Sequence, residues 1–245
     1  MDRLTRWRNT GYALIVLHLL WCGAATLLAR AVLPQPWVVY AAMPQLGAQQ
    51  IGWHLYFSLY RLGWSLMLAA VIGVPIGIAI VRLPKFGRLM DPLVYFTYPI
   101  PKIAFLPVVM LIAGLGDGSK IAMITLITVF QVIISVRDAV RQIPPAVYGS
   151  LEVLGASRWA LLRDVTWPAS LSAVISAMRI ALGTALATLF FTEVYGTNYG
   201  LGYFIMDEWN RLDYPAMYAG IIVLAAVAFA LFAALGWLER RVVKW

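Results

Sequence analysis

The sequence predicts an all-α fold, a polytopic membrane bundle of six transmembrane helices. Three observations predict it. The 245 residues are 62% hydrophobic and 12% charged, whereas a soluble domain carries about 25% charged residues. One soluble core of this size does not hide that much apolar surface, but a lipid-embedded bundle has no need to. Six apolar stretches recur, each near the ~20 residues that cross a hydrocarbon layer. The net charge of +8 sits in short basic clusters between those stretches. That is the pattern of membrane topology, and it lacks the basic stripe with interleaved aromatics that binds nucleic acid.

The first span is expected at residues 10–30, after Arg3, Arg6 and Arg8. It is longer than the roughly 7–15 residues of a signal-peptide core, so it reads as an uncleaved span. It contains the single cysteine, Cys22, and one of two histidines, His18, the other being His54. No disulfide framework or metal cluster is built from so few. The second span covers 57–81. The third, 92–115, contains Pro99, Pro101 and Pro107, which break its helix around Lys102. The fourth, 119–137, carries Gln131, placed to hydrogen-bond a neighbouring helix. The fifth, 168–194, carries Arg179, expected to anchor to loop carbonyls, and ends on Glu193; the sixth is 216–238. No internal repeat or low-complexity linker separates these stretches, so residues 1–245 read as one domain with its core at 57–238.

Orientation follows from the cations. With the N-terminus in the cytoplasm, the cytoplasmic segments hold thirteen: Arg3, Arg6, Arg8, Arg82, Lys85, Arg88, Arg137, Arg141, Arg158, Arg163, Arg240, Arg241 and Lys244. The opposite side holds four, Arg30, Arg61, Lys120 and Arg211. Both termini are therefore expected inside. The external segment 195–215 is acidic, with Asp207, Glu208 and Asp213 against Arg211.

The cytoplasmic loop at 144–167 has its own helical design. Pro144 and Pro145 stop the preceding helix, and a short helix is expected from Ala146 to Leu154. Gly155 permits a sharp turn and Ser157 suits an N-cap. A second helix, Arg158 to about Val165, would place Trp159, Leu162 and Val165 on one apolar face. Pro168 opens the next span, where its missing N–H costs nothing. An apolar helix–turn–helix in the cytoplasm needs either a partner or the membrane surface.

This loop resembles the coupling loop of the permeases of ATP-binding-cassette importers. That family's pattern is Glu-Ala-Ala, a Gly after three more residues, and a distal Leu-Pro. Here Leu154-Gly155-Ala156-Ser157 and Trp167-Pro168 stand at matching spacing. The chain departs at the Glu-Ala-Ala positions, which are Gly149, Ser150 and Leu151, with Glu152 out of register. From about Ser58 onward further pieces match in order. They are Val74-Pro75-Ile76-Gly77, Asp91-Pro92, Tyr98-Pro99-Ile100-Pro101, Gly114-Leu115-Gly116 with Ser119-Lys120, Arg179-Ile180-Ala181-Leu182-Gly183, Glu193 and Gly200-Leu201-Gly202-Tyr203. The set resembles the branch serving nitrate, sulfonate, taurine, bicarbonate and some vitamin-precursor importers.

The resemblance implies a type I importer-like permease fold in a bacterial inner membrane and a homodimer of permeases. It implies two cytoplasmic ATPase subunits docked on the coupling helices and a periplasmic binding protein that delivers substrate. It assigns coupling to Leu151, Leu154, Gly155, Ala156, Ser157, Trp159, Leu162 and Pro168. It implies no cofactor on this chain, ATP and Mg being used by the ATPase. The sequence agrees, since no Gly-x-x-x-x-Gly-Lys-Ser/Thr occurs; Gly114 to Lys120 reads as a tight interhelical turn.

Tyr98, Lys102, Gln131 and Glu193 are the candidates for the translocation pathway. A cation at membrane depth costs about 2.5–3.5 kcal/mol on insertion scales. Lys102 therefore either snorkels or binds a helix end, or it stands as a positive element on an anion's path. Glu193 is expected to pair with Lys102 or Arg61, or to cap an external gate. Catalysis has no candidates, because no Gly-x-Ser-x-Gly and no His-Glu-x-x-His are present. The alternative function is a channel or secondary transporter independent of an ATPase, though such carriers usually show repeats.

Overall fold

The computed structural model describes residues 3–242, and the described residues are helical throughout apart from turns. Lys244 lies outside them, and the side chains of Arg3, Arg6 and Arg8 are likewise outside the description.

Helix α1, Arg3–Leu28, is followed by a short α2, Pro36–Ala42, and the long α3, Ile51–Arg82. Next come α4, Pro84–Thr97, α5, Leu106–Ala113, and α6, Asp117–Arg141. The loop helices are α7, Pro145–Val153, and α8, Arg158–Leu161. The remainder are α9, Trp167–Glu193, α10, Leu201–Asn210, and α11, Tyr214–Val242. Among the described residues, five helices are long and apolar enough to cross a membrane. A sixth span exists if α4 and the segment Lys102–Ala113 count as one, for they meet at 86°.

That bend is the break expected in the third span. Pro99 and Pro101 have no N–H to donate, so the ladder lapses between Thr97 and Lys102 and the helix breaks. The short fourth span is in fact the 25-residue α6. The acidic segment 195–215 contains a helix, α10, that its composition did not reveal.

The core is a trio of α3, α6 and α9. Ala69, Val74 and Ile78 of α3 meet Val132, Val136 and Val140 of α6 and Ala181 of α9. Gly73 and Gly77, one helical turn apart, let the α3 and α6 backbones close in. A Cβ on Gly77 would lie 2.8 Å from the Ile133 carbonyl oxygen. In lipid, where no hydrophobic effect drives helices together, such close van der Waals packing holds them. Helix α1 touches the rest chiefly through Trp21, whose Nε1 donates to the Pro34 carbonyl at 3.1 Å. Most of its other apolar side chains, such as Leu17 and Leu20, are exposed, while Ala25 is buried.

The two ends of the bundle differ in charge. At the basic end, Arg137 and Arg141 of α6 share Asp91 of α4, each at 2.6 Å. Arg179 pairs there with Glu239 of α11 at 2.5 Å, a carboxylate partner in place of the loop carbonyls expected for it.

Candidate functional site

The loop at the basic end is built on one turn. Helix α7 begins at Pro145, whose fixed φ suits the first helical position. It ends at Leu154, and Gly155 follows at φ +80°. The Gly155 N–H donates to the Glu152 carbonyl at 2.9 Å, and the Ala156 N–H to the Leu151 carbonyl at 3.0 Å. This pair of bonds is the Schellman motif, and its usual apolar contact is present, Leu151 and Ala156 both packing on Tyr148, Leu161 and Val165. The Ser157 hydroxyl then accepts from the Ala160 N–H at 3.2 Å and caps α8. Arg82 of α3 stacks 4.1 Å over the Tyr148 ring, which ties the loop to the bundle.

The expected apolar face of the second helix is divided. A π-helical turn, Leu162–Thr166, joins α8 to α9 and shifts the register. Leu162 packs into the bundle core and Val165 is buried, so neither shares a face with Trp159. Instead Val153 (90% exposed), Leu154 (80%) and Trp159 (69%) protrude around the Gly155 turn. Val153 was not among the expected residues; its signal was its place at the C-terminal end of α7, beside the turn. Leu151 and Pro168 line a groove of about 680 Å³ beneath the loop.

Tyr98, Lys102 and Gln131 come together on a second cavity, of about 430 Å³, between the α4–α5 break, α6 and α9. The Lys102 ammonium donates to the carbonyls of Thr97 at 2.9 Å and Tyr98 at 3.0 Å, the free C-terminal end of α4. It also lies 4.4 Å from the Phe130 ring centroid. No carboxylate pairs with it among the described residues. Gln131 donates to the Thr184 hydroxyl at 2.9 Å, while its Oε1 is buried without a partner. The rest of the wall is mostly apolar: Ile100, Ile103, Ile127, Ala187 and Phe191 beside Thr188. Such a cavity offers one positive charge and a few hydroxyl and amide groups within an apolar shell, the usual make-up of a small-molecule site.

Glu193 is not on that cavity. It is fully buried at the end of the bundle opposite the loop, paired with Arg61 at 2.7 Å. It also accepts from Ser58 at 2.8 and 2.9 Å and from the Gly202 N–H at 2.8 Å. Ser58 in turn accepts from the Leu201 N–H at 2.8 Å. The carboxylate thus sits at the N-terminus of α10, where the helix dipole favours an anion. Gly200 admits no side chain, because a Cβ would overlap the carboxylate. Arg61 completes the knot by reaching Asp117 at 2.7 Å, Thr197 at 3.0 Å and the Tyr199 carbonyl at 2.8 Å. Lys120, expected as an external loop cation, is fully buried beside this knot. It donates to the carbonyls of Leu115 at 2.7 Å and Gly196 at 3.0 Å.

A family described as "binding-protein-dependent transport system inner membrane component" matches residues 67–244. The taurine transport system permease protein TauC of Escherichia coli is 31% identical over 240 residues, 95% of this chain and 87% of that protein. The putative aliphatic sulfonates transport permease protein SsuC of Bacillus subtilis is 28% identical over 225 residues, 91% of this chain and 81% of that one. A solved bacterial ABC transporter involved in the import of the acidic polysaccharide alginate contains a chain of like fold. Its TM-score is 0.68 at 17% identity, over 99% of this chain and 100% of that one.

Proposed function

This chain belongs to the family of binding-protein-dependent transport system inner membrane components, and we propose that it forms the translocation pathway of an ATP-driven importer and couples that pathway to ATP hydrolysis in partner subunits. It is a multi-pass membrane permease of the branch that includes the taurine, sulfonate and bicarbonate permeases. The proposal adds the assembly: two permease copies, two cytoplasmic ATPase subunits and a periplasmic binding protein. It places the basic end and both termini in the bacterial cytoplasm. It gives this chain no catalytic site and no cofactor, ATP and Mg belonging to the ATPase.

One observation carries the coupling role. Val153, Leu154 and Trp159 stand out from the basic end around the hydrogen-bonded Gly155 turn, where the chain's own core does not cover them. Exposed apolar side chains mark a protein- or membrane-docking surface, and an ATPase groove is the partner that the family offers. Closure of the ATPases would move the two α7–α8 units and, through Arg82 on Tyr148 and the α8–α9 junction, tilt α3 and α9.

For the pathway, the proposal takes the Lys102 cavity. A lone ammonium in a low-dielectric wall favours a small anion, with Gln131, Thr184 and Thr188 as hydrogen-bonding partners and the isoleucines against any apolar tail. Sulfonates and nitrate-like anions suit it better than a neutral vitamin precursor.

The test is uptake of labelled taurine by proteoliposomes containing this chain with its ATPase subunits and binding protein. Uptake should require enclosed ATP and all three components. Equal uptake by the permease alone would identify a carrier or channel instead.

A further inference from the structure

Two cavities lie along α9 beside the segment that follows the α4–α5 break. The Lys102 cavity lies deep. Gln131 is about 21 Å along α6 from Asp117, and Thr184 about 13 Å along α9 from Glu193, at 1.5 Å per residue. The other cavity, of about 630 Å³, reaches the end of the bundle opposite the basic loop, where Leu115 and Gly196 line it. Its wall is almost wholly apolar, from Leu106 and Pro107 to Met110. Two side chains, Ile103 and Phe191, line both cavities.

We propose that Ile103 and Phe191 form the external gate of this permease, separating an apolar vestibule from the Lys102 cavity. The inference rests on the pathway reading above. The two halves of the gate are supported differently. Phe191 stands two residues before Glu193, whose ion pair and hydrogen bonds fasten the end of α9 to α3 and α10. Gly202 packs against the Phe190 backbone at the same point. Phe191 is therefore the fixed half.

Ile103 is the moving half. It lies on the single 3-10 turn, Lys102–Phe105, that follows the 86° break. The helical ladder lapses across that break, and its main polar tie is the Lys102 ammonium on the Thr97 and Tyr98 carbonyls. An anion that draws Lys102 away from those carbonyls would free the break to swing, carrying Ile103 with it. Apolar side chains across a narrow passage close it by expelling water, without needing a tight fit.

The test uses the complete transporter in right-side-out vesicles, in a Cys22→Ser background, with Thr188→Cys reporting from the Lys102 cavity. The probe is a membrane-impermeant anionic methanethiosulfonate added outside, without ATP. With Phe191 and Ile103 intact, labelling should be slow. Phe191→Ala and Ile103→Ala should each speed it by about tenfold or more, as expected when a dewetted constriction fills. Leu111→Ala, on the exposed face of α5, should not change it. The full complex must co-purify for each variant, so that misfolding is not read as opening, and Phe191→Leu should keep labelling slow. Equal labelling rates with and without the Phe191 and Ile103 side chains would overturn the gate. The pathway reading would survive that result if the thiol still reacts in detergent, where both faces are open. A thiol unreactive in detergent as well would overturn both.

Discussion

Arg61 of α3 and Glu193 of α9 meet at 2.7 Å with 2% and 0% of their side chains exposed. Through Ser58, Asp117, Tyr199 and Gly202 this pair fixes α3, α6, α9 and α10 to one another. Removing Arg61 strands the buried Glu193 carboxylate, which costs roughly 3–5 kcal/mol, whereas removing Glu193 leaves Arg61 with Asp117. Arg61→Met should lower the stability of the detergent-solubilised permease by that order, and Glu193→Met should lower it by less. The double variant Arg61→Met, Glu193→Met should lose clearly less than the sum of the two single losses. Additive losses would mean that the two side chains act independently.

Most of the architecture was legible in the sequence because lipid imposes a simple rule: a spanning helix is long, apolar and flanked by cations. The spans at 57–81, 168–194 and 216–238 correspond to α3, α9 and α11 for that reason. The Gly155 turn was legible too, since a glycine followed by a Ser cap has few other uses between two short helices. The rest depended on tertiary partners. Glu193 had two possible cations in the sequence, and only the fold brings Arg61 to it. Lys120 counted only as a cation of the side opposite the basic clusters, and the fold alone brings the carbonyls of Leu115 and Gly196 to it. The π-helical turn at Leu162–Thr166, which hides Leu162 and Val165, has no composition signal at all.

Lys102 is the one cation among the described residues that line its cavity. Lys102→Met keeps the side-chain length and removes the charge, so uptake should fall to background while permease, ATPase and binding protein still assemble. Uptake rates and co-purification, measured together, check this. Normal uptake would restrict the lysine to capping the end of α4.

Glu208 of α10 gives a pH signature. Burial pushes its carboxyl above the usual glutamate range; Asp213 and Asp207 add to this and Arg211 opposes it. A folded-state value above the unfolded one means that stability is lost as pH rises through the folded-state value. Glu208→Gln should therefore melt higher than wild type at pH 8, and the difference should vanish towards pH 4. A constant difference at all pH values would show that the charge is not its source.

Topology is checked by single cysteines in a Cys22→Ser background. Arg158→Cys, on the loop, and Asn210→Cys, at the exposed end of α10, should react with impermeant reagents from opposite faces of the membrane. Lys120 is unsuitable as the external reporter because it is buried. Labelling of both from one face would contradict the arrangement of spans.

The central claim is that the Gly155 turn presents Val153, Leu154 and Trp159 to an ATPase. Gly155 sits at φ +80°, where a β-branched residue is disfavoured by roughly 1–2 kcal/mol. Nothing lies within 4 Å of the site a Cβ would take, so the substitution acts through the backbone. The decisive measurement is pull-down of the ATPase by the purified Gly155→Val permease, alongside ATP hydrolysis stimulated by the loaded binding protein. The account predicts a variant that inserts normally in the membrane, recovers much less ATPase and loses the stimulation. Recovery and stimulation equal to wild type would contradict it.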